Sequence, residues 1–183
     1  MTADRQTLEI ADHGRNCRAD YAGLMAYHGG GALFGATVAY RALQLAACVL
    51  SDRGLWDRKD LTIVSGHAGP GVIDAIEFVT RCVSRDRYEV ANSSAGCGTG
   101  IRFEWQIGDG RRTILLQLRG GFVPQRFFEL AERTSIGFAS ADERQALQDL
   151  KGSLTARLWE ESLEALFELR WLKGSAEGER ACA

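Results

Sequence analysis

The chain has 183 residues, of which 45% are apolar and 25% charged, and its formal net charge is −2 at pH 7. These values are typical of one globular domain, so we expect residues 1–183 to form a single domain. A nearly balanced charge without a basic run argues against nucleic acid as a partner. The polar N-terminus has no apolar core of a signal peptide, and Arg41 and Gln44 interrupt the longest apolar stretch. We therefore expect a cytoplasmic protein that does not interact with a membrane.

The first half of the chain predicts two helices with a strand between them, after a flexible polar N-terminus at residues 1–18. Apolar residues recur at helical spacing over Leu33–Leu50, which predicts a buried central helix. The β-branched run at residues 61–64 ends at a glycine and predicts a strand. Pro70 suits the first turn of a second helix, which we expect to continue to about Val83.

The second half of the chain predicts a β-hairpin followed by helices. Apolar and polar residues alternate over 101–107, and Gly108-Asp109-Gly110 supplies the turn into a returning strand. Leucines at helical spacing predict a C-terminal helix within residues 140–173, starting at about Asp142. The remaining predicted elements are a short strand at Tyr88–Val90, the returning strand at 112–119 and a helix at 125–133.

This order of elements predicts an α+β fold. We expect an α-β-α-β-β-β core, in which helices cover a mixed sheet, and a C-terminal helical extension.

Two segments share one design, in which a histidine precedes a glycine-rich turn and an apolar helix. Glycine lets backbone N–H groups turn toward a ligand, and a helix N-terminus has unpaired donors and a positive dipole end. An imidazole at such an end predicts a pocket for an anion, a metal or a polar cofactor. Alternatively, each histidine only fills a polar gap or a connection, and the glycines allow close helix packing. The candidate ligand-binding residues are His28, Gly29, Gly30, Gly31, His67, Gly69 and Gly71.

A third loop of small residues, at 92–100, contains Cys97 between glycines. A thiolate there could ligate a metal or act as a nucleophile if a neighbouring imidazole lowered its pKa. The alternative is an ordinary flexible loop with a chance cysteine. The chain has five cysteines and no CxxC pair, so we expect free thiols, with Cys48 and Cys82 packed as small hydrophobic side chains.

The two glycine segments resemble the FmdE family, which is named for formylmethanofuran dehydrogenase operons. In that family the first helix begins with a motif like His-Gly-His-x-Cys-Pro-Gly, and an apolar stretch that contains an arginine follows the motif. The similar segment here is YHGGGALFGATVAYRALQLA. GPGVIDAIEFVTRC is similar to its second signature, which contains Asp-Ala-Ile and a later cysteine. The resemblance covers residues 21–128, and the positions that match are His28, Arg41, Asp74 and Cys82.

The resemblance implies the same α+β order of elements and a homodimer. The sequence departs from the family where its metal ligands would lie. The family's second histidine aligns with Gly30, and its cysteine falls at Ala32 or Leu33. Many members carry a C-terminal zinc ribbon, whereas this chain has a leucine-rich segment there. A metal site of the family type would need His67 and Cys97 as replacement ligands.

Three functional hypotheses follow from the sequence. The first is an accessory or binding protein that serves a metalloenzyme partner and binds a small anionic ligand, a molybdopterin- or tetrapyrrole-type cofactor, or a divalent metal such as zinc on His28, His67 and Cys97. The second is an enzyme that acts on a small anionic substrate, with His28 or His67 as acid/base and Cys97 as nucleophile. The third is a structural dimeric subunit. We favour the first hypothesis, because the glycine turns indicate a binding pocket more clearly than any set of residues indicates a reaction.

Overall fold

A computed structural model describes residues 6–31, 33–51, 54–91 and 101–172. It contains a five-stranded mixed sheet packed against helices and a separate two-stranded hairpin, so the predicted α+β class is confirmed. Within the described ranges the helices are α1 (Tyr21–His28), α2 (Leu33–Leu50), α3 (Pro70–Thr80), α4 (Gln125–Ser135), α5 (Ala141–Glu160) and α6 (Leu163–Leu166). The strands are β1 (Thr7–Asp12), β2 (Arg15–Asp20), β3 (Thr62–Ser65), β4 (Tyr88–Val90), β5 (Glu104–Gly108), β6 (Thr113–Leu118) and β7 (Phe167–Trp171).

The larger sheet has the strand order β4-β3-β5-β6-β7. β3 and β4 are parallel, and the other neighbours are antiparallel. The predicted hairpin is confirmed as β5 and β6, in which Trp105 lies opposite Leu116 and both are buried. Gln106, between two buried residues of β5, is exposed. The alternation therefore turns one face of the hairpin toward the core.

Helix α2 is the central helix of the core and has the predicted bounds. It is long and apolar enough to cross a membrane, but 67% of its apolar window is buried inside the protein. Its buried Arg41 donates hydrogen bonds to Gln44 Oε1 at 2.9 Å and to the Glu161 carbonyl oxygen at 3.0 Å. The same guanidinium lies over the Trp159 ring, 5.1 Å from its centroid. These contacts stabilise a charge within the core helix.

The predicted flexibility of residues 1–18 is wrong for the described part of that segment. β1 and β2 pair along their full length. The connecting residues His13 and Gly14 have φ values of 51° and 77°, which suits the tight turns of two-residue hairpins. Their backbone N–H groups donate to the Asp57 carboxylate at 3.0 and 2.7 Å. Ile10 is fully buried, so the hairpin is held by the core as well as by this turn.

The prediction of one helix over 140–173 is also wrong. Helix α5 ends at Glu160, the short helix α6 follows, and β7 then adds an edge strand beside β6. Ser162 begins α6 by accepting a hydrogen bond from the Ala165 N–H at 3.2 Å. Within β7 the apolar residues Phe167, Leu169 and Trp171 alternate with Glu168 and Arg170. The helical spacing of the leucines concealed this strand alternation in the sequence.

A cluster of charged residues joins the hairpin to the C-terminal end of α3. The Asp12 carboxylate lies 2.8 Å from His13 Nδ1 and accepts two hydrogen bonds from Arg85, at 3.1 and 3.0 Å. Arg58 lies 3.5 Å from Asp12 and donates to the Val79 carbonyl oxygen at 2.7 Å. The hydrogen bond with His13, opposed by burial and reinforced by Arg85 and Arg58, lowers the pKa of Asp12 from 3.8 to about 2.

Replacing Asp12 by Asn is expected to lower the free energy of unfolding by about 1 kcal/mol at pH 7, because an amide of the same shape carries no negative charge that would attract the arginines. The folded-state pKa of Asp12 lies below 3.8, so its stabilisation is present above that pH and disappears as the pH falls toward about 2. Urea unfolding followed by circular dichroism should show the two stabilities converging over that range. Glu89→Gln, at an exposed carboxylate on β4, is the matched control. An equal loss in both variants would contradict the assigned role of the cluster.

Candidate functional site

A cavity of about 270 Å³ lies between the N-terminal ends of α2 and α3 and the helices α4 and α5. Its volume is near the lower end of the range for small-molecule pockets, roughly 300–1,000 Å³. Its walls are mainly apolar, and none of the described residues that line it has a carboxylate side chain. The residues that line it are Phe34, Gly35, His67, Gly69, Pro70, Gly71, Ile101, Phe103, Phe127, Ala131, Thr134, Ser135, Leu147 and Lys151.

Three buried phenylalanines line the cavity and pack edge to face. The ring centroid of Phe34 lies 5.3 Å from that of Phe103 and 5.4 Å from that of Phe127. Phe103 also contacts the imidazole of His67 edge to face, with 5.6 Å between centroids. Edge-to-face pairs are favoured by the charge distribution of aromatic rings, so these contacts hold the cavity wall and the histidine ring together.

His67 lies in the tight connection from β3 to α3. Ser65 Oγ donates a hydrogen bond to the His67 carbonyl oxygen at 2.8 Å and accepts one from its N–H at 3.3 Å. The imidazole approaches Gly69 so closely that a Cβ on that residue would overlap Nε2. Burial lowers the pKa of His67 below 6.5, so the ring is neutral at pH 7. The ring nitrogens make no hydrogen bond with any residue of the described ranges.

Lys151 of α5 lines the same cavity and was not predicted from the sequence. It is partly buried, and burial lowers the pKa of its amine below 10.5. No carboxylate of the described chain pairs with it. The sequence did contain a signal for its position, because Lys151 follows Leu147 by four residues and precedes Leu154 by three. This spacing puts the lysine on the buried face of the helix.

The start of α3 also faces the cavity. Gly69 is the N-cap residue and provides no side-chain hydrogen bond to the helix, and Pro70 occupies its first turn. The first N–H groups of a helix then have no partner within the helix, and its dipole makes this end positive. His67, Gly69 and Gly71 therefore lie together, beside an end that favours a negative charge.

The first glycine segment lies elsewhere, and His28 does not line the cavity. His28 is the last residue of α1 rather than part of a turn that opens α2, and Gly29 ends α1 with a φ of 66°. The His28 side chain is 6% exposed, and its Nδ1 lies 2.7 Å from Asp74 Oδ2 on α3. Gly30 and Gly31 are exposed, and an added Cβ at either position would meet no atom within 4 Å. Close helix packing therefore does not explain these two glycines.

Cys97 falls within 92–100, outside the described residues, so its proposed role stays a prediction. Among the described residues no three His, Cys, Asp or Glu side chains form a group that could hold a metal ion. Cys17 and Cys82 are free thiols, and burial raises the pKa of Cys82. Cys48 is disulfide-bonded, so the expectation of a free thiol there is wrong.

No protein-family model matches the chain, and no curated protein matches it. The resemblance to the FmdE family therefore stays a prediction. Only the geometry of the candidate site bears on its function.

Replacing Gly69 by Ala is expected to displace the His67 ring, because the new Cβ would overlap Nε2. We expect a loss of about 1–2 kcal/mol in the free energy of unfolding, together with a changed chemical shift of the His67 ring protons by NMR. Gly30→Ala is the control, since its Cβ would point into open space. An unchanged His67 shift in the Gly69 variant would contradict the described ring position.

Proposed function

We propose that this chain is a binding protein whose cavity takes a small anion with an apolar body. The observation that supports this proposal is the combination of His67, Lys151 and the start of α3 around a cavity whose described lining residues include no carboxylate. Removing a cation from water without a counter-charge is unfavourable. A bound carboxylate would supply that counter-charge at Lys151 and accept hydrogen bonds from the imidazole and from backbone N–H groups.

The three phenylalanines that line the cavity indicate a second property of the ligand, which is an apolar body. They offer an apolar surface to the body of the molecule while its charged end faces the basic groups. Small-molecule sites commonly combine mainly apolar walls with a few placed polar groups. The volume of about 270 Å³ favours a small organic anion over the molybdopterin- or tetrapyrrole-type cofactors that the sequence analysis considered.

The remaining parts of the sequence hypothesis stay as proposals. They are membership of the FmdE family, a homodimer and service to a metalloenzyme partner. The enzymatic alternative now depends on His67, which lines the cavity, and not on His28, which pairs with Asp74. A cytoplasmic location also stays a proposal, and the disulfide at Cys48 argues against it, because disulfides are rare in reducing compartments.

The proposed function predicts binding of 3-phenylpropanoate and much weaker binding of its neutral amide, measured by isothermal titration calorimetry. Replacing Lys151 by Met should weaken carboxylate binding by about tenfold, or about 1.4 kcal/mol, because it removes the cation from the cavity. Lys59→Met removes the same charge from an exposed residue that pairs with Asp60 and should leave the affinity unchanged.

Binding should also raise the pKa of His67, because a nearby carboxylate stabilises the imidazolium. NMR titration of the His67 ring with and without 3-phenylpropanoate measures this change. Equal affinity for the acid and the amide, or equal effects of the two lysine variants, would show that the cavity is not an anion site.

A further inference from the structure

We propose that Lys151 forms a reversible imine with small carbonyl compounds that also carry a carboxylate, such as aldehyde acids and 2-oxo acids. The inference rests on the proposed function, because the carboxylate of the substrate would use the same basic cavity. It adds a covalent step at the lysine amine to the binding of the anion.

The position of Lys151 is the first support for this step. Leu147 and Leu154, on the same face of α5, are each only 3% exposed, so the lysine lies on a buried stripe of the helix, where it lines an apolar cavity. An amine is nucleophilic only as the free base, and desolvation in an apolar pocket increases the fraction of the amine in that form. Burial lowers the pKa of Lys151 in agreement with this environment.

The chain contains its own contrast to this residue. Lys59 has a side chain that is 47% exposed and pairs with Asp60, and the hydrogen bond with Asp60 raises the pKa of its amine. Its ammonium form is therefore favoured. The third lysine, Lys173, lies outside the described residues. With three lysines in the whole sequence, each site of modification can be assigned from one peptide map.

The proposed reaction requires no oxidant, reductant or additional substrate. The Nζ lone pair of Lys151 attacks the carbonyl carbon and a C–N bond forms; the nitrogen loses one proton and the carbonyl oxygen takes one up, which gives a carbinolamine. The hydroxyl takes up a second proton and leaves as water, the nitrogen loses its second proton, and a C=N bond remains. The sum is amine plus carbonyl compound giving imine plus water. His67 lines the same cavity and is neutral at pH 7, so its ring can accept and return these protons.

The test is reductive trapping of the wild-type chain with 4-formylbenzoate and sodium cyanoborohydride at pH 7, followed by peptide mapping. Among the lysines we expect the fastest labelling at Lys151, with an initial rate at least about fivefold that of Lys59. 4-Methylbenzaldehyde, which lacks the carboxylate, should label Lys151 more slowly, and an excess of 3-phenylpropanoate should protect it. Labelling spread evenly over the lysines would overturn the proposal.

Lys151→Arg separates this inference from the proposed function. The guanidinium keeps the positive charge but has no nucleophilic amine at neutral pH, so the variant should bind 3-phenylpropanoate and form no adduct in the cavity. If the wild type binds 3-phenylpropanoate while its Lys151 labels no faster than Lys59, the imine is wrong and the anion site stands. If 3-phenylpropanoate neither binds nor protects, the proposed function itself is wrong. The wild-type peptide map decides the inference even if the arginine variant does not fold.

Discussion

The close approach of α2 to α3 is the constraint on which the rest of this structure depends. A Cβ on Gly35 would lie 3.6 Å from the Val72 nitrogen and 3.9 Å from the Gly71 Cα, so the first turns of the two helices are in contact. Because α2 is the core helix and α3 follows directly from β3, this contact connects the centre of the core to the sheet. It also brings the start of α3, with His67 before it, to the same cavity as Phe34, which precedes Gly35 on α2.

The charged and titratable groups of the described chain differ in whether a group of opposite charge lies beside them. Asp12 is surrounded by two arginines and a histidine, and His28 is paired with Asp74. Lys151 and His67, by comparison, face apolar walls without a carboxylate. A structural role explains a balanced pair, since the attraction between the two charges offsets the cost of their desolvation. Basic groups without a counter-charge in a cavity are not explained in this way, and they are the reason why we propose a small anion as the ligand.

Much of the fold could be predicted from the sequence because local periodicity reports directly on burial. The bounds of α2 and the β5–β6 hairpin follow from spacings of 3.6 and two residues. The same reasoning failed at β7, where leucines at helical spacing coincide with a short alternating segment, and at β1 and β2, where polar residues concealed a hairpin. In both cases the strand is stabilised by distant partners, β6 for β7 and Asp57 for the first turn.

The sequence by itself determined that His67, Gly69 and Gly71 lie at the start of a helix, because a strand, a glycine turn and Pro70 are adjacent in the chain. Only the tertiary structure decided which other residues share a site with them. His28 has the same local pattern but ends α1 and pairs with Asp74, whereas Lys151, which lies far beyond α3 in the chain, lines the cavity. The physical reason is that a cavity forms between elements, and its lining depends on how α4 and α5 pack beside α2 and α3. Local propensity fixes the direction of one segment and carries no information on which distant side chain meets it.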